Sequence, residues 1–209
     1  MYRYAWVYLG MCYFLFALIL LSGCSKNYFE GKILYQYQYL DKQGKDITTQ
    51  IKRNEDAEQH YFINAHNYKS KNERGELTQL YNASTNQYYF NVGLELQVVD
   101  AAKEFPKEFQ FKAQPEKQTI LGRPCRSLLM TSEIGPTTYF YSKKVRVNAE
   151  PFSKHRFGNW NRYLNETKGA LPLKFVMVSE RYTLVATAIQ VTPMKLADDD
   201  FEVKKALAK

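Results

Sequence analysis

Between Phe29 and Tyr39 the chain alternates without a break. In Phe29-Glu-Gly-Lys-Ile-Leu-Tyr-Gln-Tyr-Gln-Tyr39, residues Phe29, Gly31, Ile33, Tyr35, Tyr37 and Tyr39 fall on one side. Glu30, Lys32, Gln36 and Gln38 fall on the other. On a helix this spacing would spread the aromatic rings around the whole circumference. Only an extended chain, whose side chains point alternately to opposite faces, gathers them on one face. The stretch therefore predicts a strand with one buried and one wet face, and such a strand needs a sheet around it. The composition supplies the material, because 15% of the residues are aromatic, mostly the 17 Tyr and 13 Phe that suit a half-buried pleated surface.

Similar short runs recur along the chain, separated by polar or Gly-containing turns. They are predicted at 48–54, 60–66, 77–81, 87–92, 109–113, 118–124, 125–131, 137–141, 174–179 and 183–192. The fold class expected is mainly β: a curved antiparallel sheet or half-barrel with one or more covering helices. The covering helix is sought in Pro151 to Asn165, with Pro at a plausible start and Gly169 just past the end. Phe152, Trp160, Tyr163 and Leu164 would share its apolar face. Core packing is the plain account of these rings, and a ligand face is the alternative. One domain is expected over 29–203, with a frayed tail over 204–209.

The start of the chain reads differently. Arg3 is the only charge before Cys24, and an apolar run leads from Val7 to Leu21. That is the pattern of a signal peptide spanning residues 1–23. Leu21-Ser22-Gly23-Cys24 resembles a bacterial lipobox. In that pattern the Cys24 thiol receives a diacylglyceryl group, cleavage makes Cys24 the first residue, and its amine is often acylated, typically by palmitate. Two or more chains give stable membrane anchoring. Residues 24–28 would then be a short tether, and the membrane the first partner. An uncleaved membrane helix is the competing account. Either places the remainder outside the cytoplasm. With no acidic residue directly after Cys24, outer-membrane attachment facing the periplasm is expected.

Familiar catalytic patterns are missing from the sequence. His60, His66 and His155 lack companions at metal-ligand spacing. Asp198-Asp199-Asp200 lacks the alternation of a calcium loop. There is no Gly-rich phosphate loop and no Gly-x-Ser-x-Gly elbow. With Cys12 in the leader and Cys24 lipidated, Cys125 has no partner, which suits a buried, inert thiol. The formal net charge is +8, but the basic residues read as scattered along the sequence, and no nucleic-acid partner is expected.

Three stretches carry a family resemblance. Phe29 to Tyr37, Thr119-Ile-Leu-Gly-Arg-Pro-Cys-Arg126, and Gly169-Ala-Leu-Pro-Leu-Lys174 with the later Lys195 to Phe201 resemble, in order and spacing, a group of uncharacterised bacterial envelope lipoproteins. Arg123-Pro124 departs from their aromatic-basic pair, and the aromatic insert from Phe152 to Leu164 is longer. Such proteins are similar in fold to lipoprotein carriers and receptors of the Lol type. The resemblance implies a half-barrel with an apolar concave face. The function expected is a non-enzymatic binding or structural module for an apolar or amphipathic ligand or a partner protein. Its contacts would be Tyr35, Tyr37, Tyr39, Trp160 and Tyr163, with no cofactor beyond the acyl chains on Cys24. The alternative is an envelope hydrolase whose catalytic site carries no recognisable motif.

Overall fold

The computed structural model describes residues 28–51, 55–92 and 95–207. Residues 1–23, where a signal peptide is expected, and Cys24 lie outside the described residues. The alternating stretch is strand β1, Gly31–Leu40, and its predicted inner face is buried: Ile33, Tyr35 and Tyr39 are each 3% exposed or less. Around it the chain builds β2 (Glu58–Ile63), β3 (Tyr68–Lys71), β4 (Leu77–Asn82), β5 (Gln87–Val92), β6 (Glu95–Asp100), β7 (Phe109–Ile120), β8 (Arg123–Ser132), β9 (Thr137–Arg146), β10 (Ala170–Val178) and β11 (Thr183–Pro193). They form one eleven-stranded sheet in the order β6-β5-β4-β3-β2-β1-β11-β10-β9-β8-β7. Each neighbouring pair is antiparallel. The topology is two meanders joined where β11 returns to pair with β1. The sheet is open, with β6 and β7 as its edges, so the mainly β fold expected from the sequence is the one observed.

Register decides which residues share the inner face. Tyr35, Tyr37 and Tyr39 oppose Ala188, Ala186 and Leu184 of β11. Small alanines beside large tyrosines leave the rings room to lie across the strands. The connection between β9 and β10 drops into the inner face. It contains a 3-10 turn (Glu150–Phe152) and helix α2 (Trp160–Thr167), which follows a short helix α1 (Thr48–Ile51) in chain order. Tyr163, Leu164 and Thr167 of α2 are buried, as are Phe152 and His155 before it. The α2 helix ends on Lys168 and Gly169, both at positive φ, and the Gly169 N–H returns to the Leu164 carbonyl at 2.7 Å.

A second, smaller core lies on the outer face. Phe201 and Ala206, from a 3-10 turn (Asp198–Phe201) and helix α3 (Val203–Leu207), are fully buried on Leu77 and Leu80. The end expected to fray from Lys204 is therefore helical as far as Leu207, because Ala206 has apolar surface to cover. The carboxylate of Asp198 anchors this segment by accepting from the amides of Asn64 and Asn67 at 2.7 and 3.1 Å.

Other expectations need correction. The strand predicted over 48–54 is instead helix α1 at Thr48–Ile51. Asp46 Oδ1 accepts the Thr48 N–H at 2.8 Å, which turns the chain before a strand can start. The helix sought from Pro151 begins only at Trp160, since Gly158 and Asn159 both sit at positive φ and divide the insert. Runs 109–113 and 118–124 are not two strands; Phe109–Ile120 is one, bulged between Gln114 and Lys117. Strands β3 and β6 were not predicted.

Candidate functional site

At the end of the sheet where β1 reaches Leu40, a cleft of about 1140 Å³ runs from the concave face around the β3–β4 turn to Leu77, Leu96 and Leu207 at the margin of the outer core. Strand geometry positions its floor. Tyr37 and Tyr39 come from β1, Gln59 from β2, and Tyr88 and Phe90 from β5. The rings touch in pairs, Tyr37 with Tyr39 edge-on at 6.3 Å and Tyr88 with Phe90 stacked at 5.5 Å. The Gln59 amide donates to Ser70 Oγ at 3.1 Å, so one polar couple sits among the rings.

Two hairpin turns make the walls. On the β3–β4 turn, Arg74 holds three carboxylates: Asp56 at 3.0 Å, Glu73 at 3.1 Å and Glu76 at 2.9 Å. The Arg74 side chain is half exposed, so these pairs contribute little stability. Their effect is positional, because a planar guanidinium with fixed donors orients the carboxylates around it. On the β10–β11 turn, Arg181 faces Glu55 at 3.5 Å, and Tyr182 meets Tyr39 edge-on at 5.0 Å. The lining carries the acids Glu55, Asp56, Glu58 and Glu76 against Arg74 and Arg181. The cleft is thus formally acidic in a chain of net charge +8.

The five residues predicted to hold a ligand divide into two groups. Tyr37 and Tyr39 line the cleft. Tyr35, Tyr163 and Trp160 do not. Tyr35 is 2% exposed and its hydroxyl donates to the Pro172 carbonyl at 2.5 Å. Trp160 stacks on Tyr163 at 5.2 Å beneath α2, and Tyr163 tilts against Tyr139 at 4.7 Å. That half of the concave face is filled by the insert. Burial raises the Tyr163 phenol well above its ordinary range, as it does for Tyr35 and Tyr37. The remaining cleft residues were not singled out in the sequence, since Glu55, Asp56, Arg74 and Arg181 read there as ordinary solvated turns.

The hydroxyls of Tyr35 and Tyr37 make opposite predictions. Tyr37 Oη has no hydrogen-bond partner among the described residues, although burial beside Tyr39 disfavours its charged form. Tyr37→Phe should change stability by less than about 0.5 kcal/mol. Tyr35→Phe leaves the buried Pro172 carbonyl unpaired and should cost about 1–3 kcal/mol. Urea midpoints of the two variants check this directly.

Behind the cleft, His155 is 1% exposed and enclosed by rings. Tyr68 stacks on it at 5.6 Å, Tyr81 lies at 4.3 Å and Tyr88 at 5.3 Å. Its Nε2 meets the Tyr68 hydroxyl at 2.6 Å. Burial pushes the imidazole down to about pKa 3, so it is neutral under ordinary conditions. Cys125 is a free, buried thiol whose pKa is raised by burial, as the core reading expects. Among the described residues no group of three or more His, Cys, Asp or Glu is arranged to hold a metal ion.

No family model and no curated protein sequence matches the chain. Solved structures of PNGF-II in the C2 and P21 space groups are similar to 81% of it, at 19% and 16% identity and TM-scores of 0.46 and 0.48. The matched part spans 29% of the length of those chains. At that level of likeness the site must be read from its own geometry.

Proposed function

We propose that the protein is a membrane-anchored envelope lipoprotein that acts as a non-enzymatic binding module. Its ligand site is the cleft between the β3–β4 and β10–β11 turns. The observation that carries this reading is the combination of open volume, aromatic floor and polar walls at one end of a sheet that is otherwise packed. Sites for small molecules commonly join apolar walls to a few fixed polar groups. Here the floor offers ring faces and the Tyr37 hydroxyl, which has no hydrogen-bond partner among the described residues. The walls offer carboxylates already oriented by arginine.

This combination favours an amphipathic ligand over a purely apolar one. The ligand would place a flat or apolar portion on Tyr37, Tyr39 and Phe90 and hydrogen-bond donors on Glu55, Asp56 and Glu58. A fully apolar chain would leave those carboxylates desolvated without compensation.

Native mass spectra of the protein purified from bacterial envelopes, recorded before and after organic extraction, test the proposal. The expected result is a non-covalent adduct that extraction removes and that Tyr37→Ala and Asp56→Ala weaken. A single mass unaffected by extraction, together with no difference between protein and variants, would point away from a ligand and towards a structural or partner-binding role.

A further inference from the structure

One end of the β8–β9 hairpin carries a patch of bases. Strands β8 and β9 contain five bases, Arg123, Arg126, Lys143, Lys144 and Arg146, and no acid. All five lie towards one end. Arg126 pairs with Tyr141 in the β8–β9 register, so the chain continuing through Lys143, Lys144 and Arg146 runs beside Arg123. Arg126, Lys143 and Lys144 are exposed. None of Arg123, Arg126, Lys143 and Lys144 makes an ion pair among the described residues, unlike Arg74 and Arg181 at the cleft. The β7–β8 turn at this end also exposes Leu121, whose carbonyl accepts from Arg123.

The beginning of the domain meets this same patch. The Phe29 N–H donates to the Arg146 carbonyl at 2.6 Å, and the Arg146 guanidinium lies over the Tyr28 ring at 5.7 Å. Tyr28 is only four residues after Cys24. An extended chain covers at most about 3.6 Å per residue, which keeps Cys24 within about 14 Å of Tyr28. The cleft lies at the opposite end of β1. Gly31 to Tyr39 spans about 26 Å of strand. Acids gather there: Glu55, Asp56, Glu58, Glu73 and Glu76 around Arg74 and Arg181.

We propose that the end bearing Arg123, Arg126, Lys143 and Lys144 rests on an anionic lipid headgroup surface, with Leu121 and Tyr28 at the boundary and the acidic cleft facing away. The proposal rests on the lipoprotein reading of Cys24 for its geometry, and on the unpaired charges for its chemistry. Basic residues beside a membrane are drawn to anionic headgroups over about a Debye length. A tether of at most about 14 Å lets this end reach the headgroups. The field favours the β8–β9 patch over the cleft turns, and Asp198, Asp199 and Asp200, held through Asp198 on Asn64 and Asn67 at the same end of the sheet, are left to the side away from the headgroups. The cleft then samples the aqueous compartment, and its ligand arrives from there and not from the anchoring bilayer.

The β8–β9 hairpin provides the test, because its two ends report on the two ends of the domain. The full-length protein is reconstituted into vesicles of phosphatidylcholine, alone or mixed with phosphatidylglycerol. A fluorophore is attached at Leu121→Cys or at Ile134→Cys, and the headgroups carry a nitroxide quencher. The expected result is quenching several-fold stronger at position 121 than at 134 in phosphatidylglycerol vesicles. It should fall towards equality in 1 M salt and in the Arg126→Glu/Lys143→Glu/Lys144→Glu variant. Equal quenching at both positions in phosphatidylglycerol vesicles overturns the docking, as does a difference unmoved by both salt and charge reversal. The intact mass of the same sample separates the two readings. Lipid on Cys24 with equal quenching leaves the anchor standing and removes the docking. An unlipidated chain with charge-dependent quenching at 121 removes the anchor and retains the docking.

Discussion

Replacing Gly169 by alanine is expected to cost at least about 3 kcal/mol and to leave little folded protein at elevated temperature. Gly169 has φ +81°, and a Cβ there would sit 2.1 Å from the Val147 carbonyl oxygen. Two costs combine. An L side chain at that φ costs about 1 kcal/mol, and the clash requires backbone to move. The neighbouring backbone is not free to do so. The Val147 N–H donates to the Gly169 carbonyl at 2.9 Å, and the Gly169 N–H closes α2 on Leu164. Gly122 is the natural control, since its φ is also positive, at +68°, but a Cβ there meets nothing within 4 Å. Gly122→Ala should cost about 1 kcal/mol. Guanidinium denaturation of the two variants separates strain from collision.

The second large effect is a loss of stability in mild acid centred on His155. Its pKa is near 3 in the fold because burial penalises the charged ring, whereas an unfolded chain would titrate near the ordinary value of 6.5. The unfolded state therefore takes up a proton below pH 6.5 and the native state does not until about pH 3. Stability is complete above 6.5 and is lost as pH falls, by about 1.4 kcal/mol per unit across the window. At pH 5 the loss should be roughly 2 kcal/mol. The groups facing the ring are Tyr68, Tyr81 and Tyr88, and none offers a compensating negative charge, because burial raises each phenol, Tyr81 to about 12. His155→Gln should be less stable at pH 8 and much less sensitive between pH 7 and 5. Urea midpoints across that range, compared between protein and variant, isolate the imidazole. Parallel curves would remove His155 as the cause.

Much of the sheet was readable because β1 states its rule so cleanly. One face carries Ile33, Tyr35, Tyr37 and Tyr39 and the other Lys32, Gln36 and Gln38, with Leu34 the one interruption before the strand ends at Leu40. The rule weakens where burial departs from it. Ala170 to Leu173 are all buried, on both faces, so no alternation marks the opening of β10, and Pro172 there reads as the start or edge of a strand. Strand β6 is the opposite case, an edge whose Glu95-Leu-Gln-Val-Val-Asp100 is largely exposed and carries little pattern. Thr48-Thr-Gln-Ile51 has strand-like residues, yet a side chain outside the segment, Asp46, turns it into a helix.

The candidate site was legible only in its floor. Tyr37 and Tyr39 declare themselves through the strand they occupy. Trp160 and Tyr163 carry the same chemistry, but the turn at Gly158 and Asn159 aims them into the core. The polar walls depend on two hairpin turns about 100 residues apart being brought together. The basic end follows the same logic. Arg123, Arg126, Lys143, Lys144 and Arg146 look scattered when written in a line, and only the β8–β9 register makes them neighbours.

An open sheet has two borders of unused backbone donors and acceptors, and here one runs along the outer side of the twelve-residue strand β7. Left bare, such a border invites another strand to continue the sheet and chains to polymerise. The bulge between Gln114 and Lys117 breaks the regular spacing of that row, and Pro115 within it has no N–H to offer. Lys112, Glu116 and Lys117 add exposed charges that an incoming strand would have to accommodate. The irregularity that makes β7 hard to read in the sequence is also what makes its border a poor template for another strand.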